Sequence, residues 1–119
     1  MSVILVVDDE PDVLLLVKTQ LESEGFQVYT AESGREALEF LDKNKVDLLI
    51  LDVVIPGMSG LDVLRKIRSG EKSGLPVVVF TALGREVDMM LKPENEADAY
   101  LRKPYTKEEL VETVRGLLE

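Results

Sequence analysis

Short apolar runs alternate with longer amphipathic stretches along the chain, five of each. The runs Val3–Val7, Gln27–Thr30, Leu48–Leu51, Val77–Phe80 and Ala99–Leu101 predict strands. Four of the five lack polar alternation, as expected of strands covered on both faces of a parallel sheet. The intervening stretches have helical period, with stripes of Val13, Leu14, Val17 and Leu21; Ala37, Leu38 and Leu41; Leu61, Leu64 and Ile67; and Leu110, Val114 and Leu117. Helix starts are marked by Pro11 after Asp9 and Glu10, and by the capping-box pairs Ser33 with Glu36 and Thr106 with Glu109. Gly25 is placed to end the first helix. The stripe over 85–92 is thin (Val87, Met90, Leu91) and Pro93 stops it, so a short or mobile helix is expected there. Strand and helix alternating in this way predict an α/β domain with right-handed crossovers and helices on both sheet faces. Ligands of such folds bind beyond the carboxyl ends of the strands.

Composition narrows the chemistry. The 119 residues (13.3 kDa) suit a single domain. Folding should leave roughly 6,500 Å² of accessible surface, against roughly 19,000 Å² for the extended chain, which is enough burial for a core without staples. Acidic residues outnumber basic ones by 23 to 14, for a net charge of −9. That balance argues against nucleic acid or an anionic membrane as a direct partner, because both need a basic face. Without cysteine there is no disulfide framework or thiolate chemistry, and without histidine no imidazole base or ligand. No apolar run approaches the roughly 18 residues of a membrane span, and the expectation is a soluble, cytoplasmic domain.

The residues at the strand ends carry the candidate chemistry. Asp8, Asp9 and Glu10 follow the first run, Asp52 the third, Thr81 and Ala82 the fourth, and Lys103 and Pro104 the fifth. Each has an ordinary reading alone: helix capping for the acidic trio, turn formation for Asp52, a cap or strand residue for Thr81, a solvated lysine for Lys103. Together they do not. Carboxylates converging on one rim repel by about 4 kcal/mol per pair at 4 Å and an effective dielectric near 20. A hard divalent cation offsets that, and Lys103 supplies a second positive charge. A carboxylate nucleophile, a metal, an ammonium, a hydroxyl and a reachable N–H at Ala82 are the equipment of phosphoryl transfer to oxygen.

These residues stand in four ordered motifs: Val6-Val7-Asp8-Asp9-Glu10; Leu51-Asp52 with Pro56-Gly57-Met58-Ser59-Gly60; Phe80-Thr81-Ala82; and Tyr100-Leu101-Arg102-Lys103-Pro104. Thr81 follows Asp52 by 29 residues, and Lys103 follows Thr81 by 22. In these motifs the chain resembles the receiver domain of two-component response regulators over nearly its whole length. The resemblance implies a five-stranded parallel sheet of flavodoxin-like order 2-1-3-4-5. It implies that Asp52 accepts a phosphoryl group from a phosphohistidine on a sensor histidine kinase or histidine phosphotransfer protein. Mg²⁺ (or Mn²⁺) would be held by Asp9, Asp52 and the backbone carbonyl of Val54, with Asp8 acting through water. Thr81, Ala82 and Lys103 would contact the phosphoryl group, the Lys103-Pro104 bond would be cis, and Tyr100 would be an aromatic switch that moves with Thr81. Phosphorylation would then change the surface of the last two strand and helix units for a downstream protein, or for dimerisation.

Some positions depart from the family pattern. Val54 and Leu83, two residues beyond Asp52 and Thr81, are apolar and cannot orient a hydrolytic water, so slow self-dephosphorylation is expected. Ser59 stands where an Asp is frequent and can cap equally well, while Glu96 stands where Gly is usual, which points to an unusual partner surface. Two rival readings are a receiver-like interaction module that works without phosphorylation and an Mg²⁺-dependent aspartyl phosphohydrolase. The second wants an acid two residues after the nucleophile, where Val54 stands. Residues 1–119 are read as one receiver domain without an output domain, acting as a phosphoacceptor and not as an enzyme on other substrates.

Overall fold

Uninterrupted aliphatic runs can only be satisfied by cover on both sides, and three of them form the middle of one sheet. The computed structural model describes residues 2–52, 55, 57–70, 72–81, 97–102 and 105–119, with Thr81 described by its backbone. The strands are β1 (Val3–Val7), β2 (Gln27–Ala31), β3 (Leu48–Asp52), β4 (Val77–Thr81) and β5 (Ala99–Arg102). The helices among the described residues are α1 (Pro11–Glu22), α2 (Gly34–Lys43), α3 (Gly60–Arg68) and α4 (Lys107–Leu118). All strand pairs are parallel, in the order β2-β1-β3-β4-β5. This is the flavodoxin-like α/β arrangement expected from the motifs. The short helix expected over 85–92, with Met89 and Met90, lies outside the described residues.

Side-chain alternation divides the core into two layers. Leu5, Val7, Leu49, Leu51, Val77 and Val79 pack with Ala37 and Leu41 of α2 and Val63, Leu64 and Ile67 of α3. Ile4, Val6, Leu48, Ile50, Val78 and Phe80 face the other way, onto Leu14, Val17 and Leu21 of α1 and Leu110, Val111 and Val114 of α4. Every one of these twelve strand residues is at most 1% exposed. Burying a side chain of this size contributes about 1.5–3 kcal/mol. The accessible surface is 6717 Å², close to the value expected for the chain length. The expectation of cover on both faces holds for β1, β3 and β4 and is corrected for β5. That strand lies at the sheet edge, where Ala99 and Leu101 pack inward while Tyr100 and Arg102 are exposed.

Local chemistry sets the helix ends. Pro11 opens α1, and the Ser59 side chain accepts the Asp62 N–H at 3.2 Å at the start of α3. Thr106 and Glu109 form a complete capping box on α4, with bonds of 3.1 and 3.2 Å. The Ser33 box is displaced by one residue: Ser33 accepts the Glu36 N–H, but Glu36 reaches back to the Glu32 N–H at 2.8 Å. Gly25 follows α1 with φ of +94°, and Gly57 turns the loop after β3 with φ of +80°, a region that L-residues with a Cβ rarely enter. At the amino-terminal rim of the sheet, Arg68 donates to the carbonyls of Ser73 (2.9 Å) and Leu75 (2.6 Å) and to Asp98 (2.8 Å), which also accepts the Val77 N–H.

Candidate functional site

Strand β1 ends with its apolar run, while β2, β3, β4 and β5 each reach one residue further, and in β3 and β4 this extra step supplies the candidate site residues. Asp52 is the last residue of β3, paired in register with Phe80, and Thr81 is the last residue of β4, paired with Arg102. In β1 and β3, Val7 pairs with Leu51. Asp8 and Asp52 are therefore level, one step beyond that pair on adjacent strands. Asp8 keeps strand pairing on its other side, where its N–H donates to the Ala31 carbonyl at 3.2 Å. Parity sets Asp8 in the row of Ile4 and Val6, and Asp52 in the row of Leu48 and Ile50. Asp8 is 0% exposed and Asp52 is 7% exposed. They are the buried charged residues among those described.

Asp9 and Glu10 complete an acidic rim. One carboxylate oxygen from each of Asp8, Asp9 and Glu10 lies within 4.8 Å of the others, with Asp8 buried and the other two exposed. The Glu10 N–H donates to Asp8 Oδ1 at 3.0 Å, which fixes the inner carboxylate against the turn. Among the described residues the candidate donors Asp8, Asp9, Glu10 and Asp52 offer carboxylate oxygen, and Asp8 and Asp52 are withdrawn from water. Like charges so arranged fit a hard divalent cation, which prefers oxygen ligands, and not a thiophilic metal.

Of the residues singled out in the sequence, Asp8, Asp52 and Thr81 stand at the carboxyl ends of neighbouring strands, while the carboxylates within 4.8 Å of one another are those of Asp8, Asp9 and Glu10. Tyr100 lies on β5, in register with Val79, and is 36% exposed. Val54, Ala82, Leu83, Glu96, Lys103 and Pro104 lie outside the described residues. Two features escaped the sequence reading. Glu10, placed on the strand rim by the sequence but not among the implied cation ligands, joins the carboxylate cluster with Asp8 and Asp9. Tyr105 packs on Phe80, with ring centroids 4.8 Å apart and planes at 32°, supporting the strand position paired with Asp52. The nearest sequence signal for that contact was an aromatic residue just beyond Lys103 and Pro104.

An open 2-1-3-4-5 sheet with a buried carboxylate ending its central strand, beside an acidic turn, defines a receiver domain. Residues 4–115 match the response regulator receiver domain family, and the chain belongs to that family. It is thus a phosphoacceptor module of two-component signal transduction. The chain is 43% identical over 118 residues to the transcriptional regulatory protein CpxR of Escherichia coli, covering 99% of this chain and 50% of that protein. It is 41% identical over 115 residues to the DNA-binding response regulator MtrA of Mycolicibacterium smegmatis, covering 97% and 50%. The chain therefore spans about half the length of these curated relatives. Among solved structures it is similar to the response regulator TrrA of Thermotoga maritima in complex with Mg²⁺-BeF, with a TM-score of 0.90, 41% identity and coverage of 99% and 100%. The chemotaxis protein CheY4 of Vibrio cholerae gives a TM-score of 0.90 at 29% identity, covering 99% of both chains. Among the described residues no helix is long and apolar enough to cross a membrane.

Proposed function

We propose that Asp52 is the phosphoryl acceptor and that Asp8, Asp9, Asp52 and the Val54 carbonyl hold Mg²⁺ during transfer. The observation that carries this reading is the pair of level, buried carboxylates, Asp8 and Asp52, at the carboxyl ends of adjacent central strands. A carboxylate oxygen of Asp52 attacks the phosphorus of a phosphohistidine. The P–N bond breaks, its electron pair returns to the imidazole nitrogen, and that nitrogen is protonated as the acyl phosphate forms. When bound, the cation neutralises charge on the phosphoryl oxygens and on the attacking carboxylate. Lys103 supplies a fixed positive charge, while the Thr81 hydroxyl and the Ala82 N–H donate to the phosphoryl oxygens.

An acyl phosphate carries close to two negative charges and several acceptor oxygens. Those groups bind it better than they bind a bare carboxylate, which biases the domain between two states. Tyr100 is the ring that follows Thr81, and the last two strand and helix units, with the Lys103-Pro104 turn, form the surface that changes. In this reading the donor is a histidine kinase or phosphotransfer protein in the cytoplasm, and the target is another protein or a second copy of the domain. DNA is not a direct partner of this domain, given its charge of −9. The protein turns over its own phosphoryl group and no separate substrate.

The test is intact-protein mass after incubation with acetyl phosphate. One phosphoryl adduct is expected in the presence of Mg²⁺, with none in Asp52→Asn or in metal-free protein. Folded protein that binds Mg²⁺ yet takes no adduct would instead indicate an interaction module independent of phosphorylation.

A further inference from the structure

We infer that Glu10 is a third acidic group of the cation site, acting on the bound ion across a coordinated water and raising its affinity. This rests on the reading of Asp8 and Asp9 as cation ligands. Glu10 occupies the N-cap of α1, where short oxygen-bearing side chains are favoured because they reach the free N–H groups of the first turn. Its side chain makes no such bond. The carboxylate instead joins those of Asp8 and Asp9 within 4.8 Å. Asp12 already supplies a carboxylate in the first turn of α1, so the helix dipole has its complement without Glu10. A third negative charge set beside two others, one of them fully buried, raises the electrostatic energy of the metal-free protein. A cation reverses the sign of that term.

Reach sets the mode of action. Two oxygens bound to one Mg²⁺ at about 2.1 Å can be no more than about 4.2 Å apart. A cluster spanning up to 4.8 Å therefore has room for one carboxylate to act through a bound water. The exposed, long Glu10 side chain suits that role, alongside the water-mediated role the family resemblance implies for buried Asp8, whose Oδ1 accepts the Glu10 N–H.

The experiment compares the 119-residue chain with Glu10→Gln, Asp12→Asn and Asp9→Asn. Mn²⁺ affinity is read by loss of the free-ion electron paramagnetic resonance signal, and melting is followed with and without Mg²⁺. Glu10→Gln is expected to weaken binding about 5- to 20-fold at moderate salt, and less at high salt. Asp12→Asn, an equal charge change on the same turn, is expected to change it by less than about 2-fold, because exposed charges at longer range are screened. Metal-free Glu10→Gln is expected to melt at or above the parent temperature while gaining less from Mg²⁺. Lower melting of the metal-free variant would make Glu10 a helix-capping residue and overturn the inference. So would an effect equal to that of Asp12→Asn, or no effect, alongside lost binding in Asp9→Asn; those outcomes leave the cation site standing. Undiminished binding in Asp9→Asn would overturn the site reading itself and the inference with it.

Discussion

Asp52 ends β3 with only 7% exposure, and in the proposed site a cation and Lys103 supply the positive charge that balances its carboxylate and the incoming phosphoryl group. In the proposed site, the side chains at positions 54 and 83 would govern how long the phosphoryl group persists. With valine at 54 and leucine at 83, neither side chain can hydrogen-bond an attacking water. The adduct is expected to decay slowly in isolated protein, and a polar replacement such as Val54→Asn is expected to change the rate, both followed by mass against time. At the opposite rim, Arg68 binds two carbonyls and Asp98 with its side chain 18% exposed. Arg68→Ala is expected to lose about 2 kcal/mol in urea unfolding, the usual size for a charged group with good partners. Asp98→Asn, which can still accept the Val77 N–H, is expected to lose less. The Glu24 pairs with Lys107 and Arg115 are more exposed, and Lys107→Ala should fall within about 1 kcal/mol.

Helices α2 and α3 come into close contact where α2 begins. A Cβ built on Gly34 would lie 2.5 Å from Val63 Cγ2 and 3.4 Å from Met58 Cβ. Val63 is 0% exposed and packs in the α2/α3 layer, so it cannot move aside freely. Gly34→Ala is expected to destabilise by about 1–3 kcal/mol through overpacking, despite the better helix propensity of alanine. Val63→Ala removes the clashing methyl, so the double variant should be more stable than the sum of the two single effects, which a double-mutant cycle reads directly. The same layer shows why periodicity located the helices but not every contact. Val63 was absent from the predicted stripe of Leu61, Leu64 and Ile67, yet it is more buried than Ile67, because a helix pressed between a sheet and a neighbouring helix buries a broad face. In α1 the run of three leucines divides by angle: Leu14 is 5% exposed, while Leu15 and Leu16 are 66% and 55% exposed.

Charge links the site to the stability of the domain as a whole. The net charge is −9, and several of those charges converge at one end of the sheet. Any divalent ion that binds the folded state alone stabilises it by mass action, by about 1.4 kcal/mol at ten times its dissociation constant. For a domain of this length that corresponds to a rise of roughly 5 °C in Tm. Removing Mg²⁺ with a chelator is expected to reverse the gain, and Asp9→Asn to abolish it, in a melting experiment at fixed ionic strength.

Strand number, strand type and the location of Asp52 and Thr81 at strand ends were legible in the residues alone. Burial on two faces requires unbroken aliphatic runs, and the end of each run marks where the sheet meets solvent. Helix starts at Pro11, Ser59 and Thr106 were legible for a similar reason, since capping is decided within four residues of chain. Long-range placement was not. The stacking of Tyr105 on Phe80 and the closeness of Gly34 to Val63 join segments 25 or more residues apart in sequence. Which side chains meet there depends on the strand order and on the angle at which helices cross the sheet. The gathering of the Glu10 carboxylate with those of Asp8 and Asp9, without a cap bond to its own helix, was visible only in the structure, because residue type does not fix side-chain direction. A capping site and a cation site want the same residue types at the same spacing, and only the direction of the side chain separates them.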